Sequence, residues 1–175
     1  MKHISYSELK IWSECPFKHK LMYIDKVKGF QGNEYTAFGR AIHELCENTI
    51  YGKIDDEEDF FNLVFERELE SISLEENKLI TEMRSQAKNM IPDIIPSVQK
   101  YFGEYEVFSV EEKLYEDITE VELNYKLKGF IDLVLKTEDG KYHVIDWKTC
   151  SWGWDAEKRS SRMTTYQLTL YKKFF

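Results

Sequence analysis

The chain has 175 residues, of which 42% are hydrophobic and 32% are charged, a composition that supports one packed domain and excludes a disordered protein. No apolar run approaches the ~20 residues that cross a bilayer, and no signal-peptide pattern follows Met1, so we expect a soluble, cytoplasmic protein without a membrane partner. The net charge of −8 excludes a broad basic surface, although residues 1–30 carry six basic and three acidic side chains and residues 155–175 carry five and two.

The first half of the chain is predicted to be helical. Ser5 and Glu8 have the spacing of a capping box and predict a helix that stops before Pro16, which can itself begin the next helix. Over residues 37–51, apolar side chains recur at helical spacing and a glycine follows, so a second amphipathic helix is predicted there. His43 lies beside the apolar face of this helix.

A longer helical stretch is predicted over residues 60–102. The acidic run at 55–59 suits its start, because carboxylates complement the dipole at the beginning of a helix. Breaks are expected near Ser73 and at Pro92 and Pro96.

In the second half, the apolar residues alternate as they do in strands. The predicted elements are strands over 105–115, 121–128, 129–136 and 141–149, a turn at 138–140 and a closing helix over 163–175. The order of helices, an antiparallel strand meander and a helix indicates an α/β fold in the layered α+β sense. We expect a single domain over 1–175, with a mainly helical part over 1–103 and the strands in 104–175.

Three charged residues are set into the last two predicted strands. Asp132 lies within an otherwise apolar strand, and Asp146 and Lys148 share one face of the next. A three-residue hairpin loop would set Asp132 opposite Asp146, roughly 5 Å apart at Cβ. A two-residue loop would instead set it opposite Trp147.

Facing carboxylates in apolar surroundings repel each other unless a cation lies between them. Their hard oxygen atoms suit Mg²⁺ or Mn²⁺, and Lys148 would then assist an attack by water on phosphorus. The alternative is a solvent-facing ion pair between Asp146 and Lys148. A second Asp-x-Lys pattern, Asp139 to Lys141, lies in the predicted turn, so the pattern alone is not specific.

Five ordered motifs extend across nearly the whole chain. They are Ser5-Tyr6-Ser7-Glu8-Leu9 with Cys15-Pro16-Phe17 and Leu21-Met22-Tyr23, Gly39 to His43, Gly129 to Asp132, Val144 to Thr149, and Gln167 to Tyr171. Together they resemble the RecB-like branch of the PD-(D/E)XK nuclease superfamily, which includes CRISPR adaptation nucleases and phage exonucleases. The resemblance implies a restriction-endonuclease-like core, an antiparallel meander flanked by helices with an N-terminal helical region.

The resemblance also implies roles for individual residues. His43, Asp132, Asp146 and the backbone carbonyl of Trp147 would bind the metal, and Lys148 would be the catalytic lysine. Glu111 matches the acid on the first strand, although Glu112 fits equally well with a shift of one residue. Gln167 and Tyr171 would flank the site and contact the DNA backbone or orient Lys148.

Several further residues are candidates for contacting DNA. The basic residues are Arg40, Lys158, Arg159 and Arg162. The last three belong to the predicted loop over 151–162, and the alternative is that this loop is simply solvated and contacts no DNA. The tryptophans are candidates for stacking on unpaired bases or, alternatively, for packing in the core: Trp12, Trp147, Trp152 and Trp154.

The cysteines bear on a second cofactor. Three cysteines without a Cys-x-x-Cys pattern predict neither a disulfide framework nor a zinc site. Cys15 has the position of one iron–sulfur ligand in related nucleases, whereas Cys46 and Cys150 do not fit the remaining positions. We therefore expect no [4Fe–4S] cluster, unless a C-terminal cysteine cluster belongs to a part of the protein missing from this sequence.

These observations predict a metal-dependent DNA nuclease, an exonuclease by resemblance, encoded by a bacterium, an archaeon or a phage. Its expected partners are single-stranded DNA or DNA ends and a helicase or integrase-type protein, in recombination and repair, CRISPR adaptation or phage DNA processing. Two alternatives stay open at this point: an inactive nuclease-fold subunit that binds DNA or assembles with partners, and an α+β scaffold whose two aspartates are structural.

Overall fold

The computed structural model describes residues 2–27, 29, 31–119, 122, 124–150, 153 and 155–175, without the side chain of residue 158. Its elements are, in chain order, β1 (Lys2–Ser5), α1 (Tyr6–Glu14), α2 (Pro16–His19) with a π-helical turn (Lys20–Ile24), α3 (Glu34–Ile50), α4 (Glu57–Ser71), α5 (Lys78–Met90), a 3₁₀ turn (Ile91–Asp93), α6 (Ile94–Phe102), β2 (Tyr105–Asp117), β3 (Tyr125–Thr137), β4 (Tyr142–Ile145), α7 (Ala156–Ser160) and α8 (Arg162–Phe174). The predicted α/β class is confirmed.

The sheet is built around β3, which pairs with all three other strands. β2 runs antiparallel along one edge of β3 over almost its whole length, so β1 and β4 share the opposite edge. On that edge, β1 pairs parallel with residues 125–128 and β4 pairs antiparallel with residues 133–136. Residues 129–132 have neither strand beside them there, and a gap opens between the end of β1 and the end of β4.

The predicted meander corresponds to β2, β3 and β4, but the prediction was wrong in two respects. β1 adds a fourth strand, which is parallel and too short to show an alternating pattern ahead of its helix. The two strands expected on either side of Gly129 form one continuous strand, because Gly129 keeps its place in the ladder opposite Leu114.

The hairpin between β3 and β4 has the three-residue loop considered above. The Thr137 N–H donates to the Lys141 carbonyl at 3.0 Å, and Leu133 pairs with Ile145. Continued by one residue, this register sets Asp132 opposite Asp146. β4 itself ends at Ile145, four residues earlier than predicted.

The helices α3, α4 and α5 pack around an apolar core beside the sheet. The rings of Phe38, Phe61 and Phe65 form its centre, with centroids 5.3 to 5.8 Å apart. Asn33 and Thr36 exchange hydrogen bonds as a capping box at the start of α3. The apolar face predicted for this helix is buried in that core, and this burial sets the orientation of α3 relative to the sheet.

Two of the expected breaks in the following helical stretch are present. α4 ends at Ser71, and Ser73 has a left-handed φ of 56°. α5 ends at Met90, ahead of the 3₁₀ turn that contains Pro92. Pro96 does not break a helix: it is the third residue of α6, where a backbone N–H would have no acceptor within the helix.

The C-terminal segment contains two helices. α8 is the predicted closing helix, whereas α7 falls in the stretch expected to be a loop. Among the helices of the described residues, none is long and apolar enough to cross a membrane.

Candidate active site

The gap in the sheet holds the carboxylate of Asp132. Beyond β4, the chain is tied to β3 through this side chain, because the Trp147 N–H donates to Asp132 Oδ2 at 2.6 Å. The Asp132 side chain is only 11% exposed. A nearly buried carboxylate thus lies where backbone pairing between the strands stops.

The second carboxylate, Asp146, is even less exposed, at 6%. Gln167 of α8 donates from Nε2 to Asp146 Oδ1 at 2.7 Å, and Lys148 forms an ion pair with Oδ2. The same Gln167 nitrogen also lies 3.3 Å from the Tyr171 hydroxyl, one turn further along α8. Both oxygens of Asp146 are therefore held, one by an amide and one by an ammonium group.

His43 reaches the same point from the other side. α3 buries Ile42 and Leu45 and leaves His43 half-buried, with Nδ1 3.4 Å from Asp132 Oδ2. Burial is the main cause that raises the pKa of Asp132, and the charge of Asp146 raises this pKa further. His43 opposes the shift, as do the Trp147 N–H and Lys148.

The backbone is irregular beside Asp132. Glu111 has a left-handed φ of 51° and stands between the pairs Val110–Leu133 and Glu112–Ile131, so it is opposite Asp132. The side chains also change face here. Ile131 packs in the same cluster as Val134, although strict alternation would place residues three apart on opposite faces. Such strain is often found at functional sites.

A cleft of about 490 Å³ joins most of the predicted site residues. Its walls include His43, Asp132, Asp146, Lys148, Gln167 and Tyr171. Glu111 is not part of this wall. Burial raises the pKa of Glu111, and the charge of Asp132 raises it further.

The donor set of the cleft fits a hard divalent cation by its chemistry, with two carboxylates and an imidazole. In the part of the chain that the structure describes, however, no three His, Cys, Asp or Glu side chains are gathered closely enough to hold a metal ion. The carboxylate oxygens instead have other partners: Lys148 and Gln167 contact Asp146, and the Trp147 N–H donates to Asp132. A cation would have to displace Lys148 from Asp146.

The other predicted residues whose side chains the structure describes lie outside the cleft. Arg40 is ion-paired with Glu68 on the surface, and the Cys15 thiol accepts a hydrogen bond from the Lys18 N–H as the cap of α2. Trp12, Arg159 and Arg162 are exposed, and Trp147 packs between two core clusters. The predictions for Lys158, Trp152 and Trp154 concern side chains outside the described residues.

Sequence reasoning missed two residues near the site. Tyr6 is buried and its hydroxyl donates to the Met163 carbonyl, which joins α1 to the start of α8. Burial is the largest cause that raises the pKa of Glu47 to about 7, with Glu111 and Glu44 adding to the shift. Glu47 lies one helical turn after His43, a spacing that could have drawn attention to it.

Comparison with known families agrees with this geometry. A family model of the PD-(D/E)XK nuclease superfamily matches residues 3–174. The chain belongs to this superfamily. The mixed sheet flanked by helices is therefore the restriction-endonuclease-like core of a PD-(D/E)XK nuclease fold. A comparison with curated proteins finds no match. The RecB-like branch stays a prediction from the motifs.

The close approach of Tyr171 to Gly129 gives a prediction about stability in this PD-(D/E)XK domain. A Cβ on Gly129 would lie 2.8 Å from Tyr171 Cε1, closer than unbonded carbon atoms approach. Gly129→Ala must displace the ring, so we expect the free energy of unfolding to fall by about 1–3 kcal/mol in urea denaturation. Gly29→Ala is the control, because a Cβ there meets nothing within 4 Å. Equal stability of the two variants would contradict the prediction.

Proposed function

We propose that this chain is a divalent-metal-dependent DNA nuclease that degrades single strands or DNA ends as an exonuclease. The observation that carries the proposal is the juxtaposition of Asp132, Asp146 and Lys148 at an open cleft. Two nearly buried carboxylates next to a lysine side chain that is 38% exposed are costly for a scaffold to maintain. They suit a site that binds a cation and a phosphodiester group.

Asp132, Asp146 and His43 would hold the cation, together with the backbone carbonyl of Trp147. When bound, Mg²⁺ or Mn²⁺ would supply Lewis-acid stabilisation of the charge that develops on the phosphate. Lys148 would leave Asp146 and direct Nζ to the attacking water or to a phosphate oxygen. Gln167 would keep Asp146 oriented through its amide, and Tyr171 would keep Gln167 in place.

DNA is supported as the substrate by the distribution of charge. The basic N-terminal and C-terminal segments contribute α1 and α8, whose side chains line the cleft. The middle of the chain, residues 31–125, carries eight basic and twenty-three acidic side chains and forms α3 to α6 and β2. Residues 31–125 therefore repel a polyanion, whereas Lys128 and Lys148 in the lining of the cleft can contact phosphate once a cation neutralises the two aspartates.

The motifs and their resemblance to the RecB-like branch support the finer proposals. They favour a cytoplasmic enzyme of recombination and repair, CRISPR adaptation or phage DNA processing, which works with a helicase or integrase-type protein. Arg40, Arg159 and Arg162 are exposed and are proposed as additional phosphate contacts.

The test is a cleavage assay of the whole chain on linear and circular DNA, each single- and double-stranded, with Mg²⁺, Mn²⁺ or EDTA. We expect the linear molecules to be degraded from their ends, the circles to persist, and EDTA to stop the reaction. Cleavage of circles as fast as linear DNA would overturn the exonuclease assignment. Absence of cleavage on every substrate with either metal would overturn the proposed function.

A further inference from the structure

A second groove, of about 410 Å³, opens from the cleft between α1, α2 and α8. It shares Tyr6, Ser7, Lys148 and Gln167 with the cleft, so the two depressions are continuous. The groove therefore leads away from the ammonium group of Lys148 along the N-terminal helices.

The outer part of this groove carries two lysines. Lys10 lies one turn after Tyr6 on the same face of α1, and Lys18 faces it from α2. Glu14 is the acidic residue among the described residues that line the groove; its carboxylate oxygens lie 4.0 Å from the Lys10 Nζ and 3.7 Å from the Lys18 Nζ. All three side chains are about half exposed, so these ion pairs contribute little and a stronger anion can replace Glu14.

We propose that this groove binds the backbone of a single DNA strand next to the phosphate that is cut, with Lys10 and Lys18 each neutralising one phosphate. The inference rests on the proposed function and adds to it the surface along which the strand runs. The three ammonium groups of Lys10, Lys18 and Lys148 follow one continuous depression, which matches the single line of phosphates of one strand. Phosphates are attracted to such a line of cations.

The location of Trp12 indicates that the groove reads the backbone rather than the bases. Trp12 is 56% exposed, but it lies two residues from both Lys10 and Glu14 on α1, and so on the opposite side of this helix. The groove itself offers no tryptophan for stacking among its described lining residues. Binding in it is accordingly independent of sequence and dependent on salt.

The experiment measures binding of a fluorescent single-stranded oligonucleotide by anisotropy, in EDTA and at several salt concentrations. We expect the double variant Lys10→Ala/Lys18→Ala to bind about tenfold more weakly, with the salt slope reduced by about 1.4 because each phosphate contact contributes about 0.7 for a single strand. Glu14→Gln should bind more tightly than the unchanged chain, because it removes the competing carboxylate.

The matched control is Lys20→Ala/Lys78→Ala, which removes two positive charges as well. Lys20 lies in the turn after α2 and Lys78 in α5, both outside the groove. We expect it to change binding less than twofold. If the two double variants bind equally, the groove is not the strand-binding surface. If the Lys10 and Lys18 variant loses affinity for duplex more than for single-stranded DNA, the assignment to a single strand is overturned.

A parallel cleavage assay separates this inference from the proposed function. If the unchanged chain cuts DNA and the groove variant matches its control, the groove assignment alone fails. If the unchanged chain neither binds nor cuts DNA, the proposed function fails and the groove assignment fails with it.

Discussion

Replacement of Lys148 by alanine is expected to reduce DNA cleavage by roughly 10²- to 10⁴-fold, the contribution of a positioned proton donor or acceptor. Lys148 is partly exposed at the wall of the cleft, so its loss opens no cavity in the core, and Asp146 keeps its hydrogen bond from Gln167. We therefore expect the variant to fold and still to bind the metal, while single-turnover cleavage on linear single-stranded DNA is lost. Calorimetry with Mn²⁺ checks the metal, and a thermal melt checks the fold.

The chain contains its own control for this experiment. Lys141 belongs to the second Asp-x-Lys sequence, in which it forms an ion pair with Asp139 in the hairpin turn. Its side chain is 73% exposed and is not part of the cleft wall. Lys141→Ala should cleave within about twofold of the unchanged chain. A Lys148→Ala variant that kept more than about a tenth of the activity would contradict the role of Lys148.

Lys148→Arg separates two explanations of the same loss. Arginine keeps the positive charge but stays protonated at any ordinary pH. Substantial activity in this variant would mean that Lys148 acts through charge on the phosphate. Loss as complete as with alanine would mean that Nζ transfers a proton or needs the compact geometry of an ammonium group.

The fold and the strand register follow from local patterns in the sequence. α3 was predictable because its apolar stripe and the glycine after it indicate one helix, although its cap at Asn33 and its first three residues were not predicted. The sequence left two loop lengths open for the hairpin, and the three-residue loop at 138–140 sets Asp132 opposite Asp146, since pairing in a short hairpin is set by the turn.

The contacts of the site were not predictable, because they depend on residues that are distant in sequence. The Gln167 amide meets Asp146 across 21 positions, and Gly129 is needed because the Tyr171 ring lies against it. Glu111 adopts a left-handed conformation although it is neither a glycine nor an asparagine, the residue types that usually indicate one. The ion pair between Lys148 and Asp146 was expected only as an alternative to the metal site, whereas it forms at the cleft wall, where it would compete with a cation.

Function and stability oppose each other at Asp132. Its pKa in the folded chain is raised above the ordinary value of 3.8, so ionisation of this carboxyl opposes folding. The free energy of unfolding should therefore fall as the pH rises from below the unfolded pKa through the folded one, and the cost persists at higher pH. Below both pKa values the carboxyl is neutral in both states and the cost disappears.

Asp132→Asn is accordingly expected to reduce cleavage by about 10²-fold or more. The same variant should nevertheless melt at a higher temperature than the unchanged chain at pH 8 in EDTA. The amide oxygen can still accept the Trp147 N–H, while the buried charge is gone. The difference in melting temperature should shrink toward pH 4 and below. Thermal melts across this pH range, without metal, measure it.

Addition of Mg²⁺ should reverse the order of the two melting temperatures. A cation that binds the folded unchanged chain at a hundred times its Kd adds about 2.7 kcal/mol, whereas the asparagine variant lacks a charged ligand and gains much less. Asp139→Asn, in the exposed hairpin turn, should retain the full metal-dependent rise. If Asp132→Asn gained as much from Mg²⁺ as Asp139→Asn, the cation would be held elsewhere. If it melted below the unchanged chain in EDTA at pH 8, the burial of Asp132 would stabilise the fold and would not be a cost that metal binding offsets.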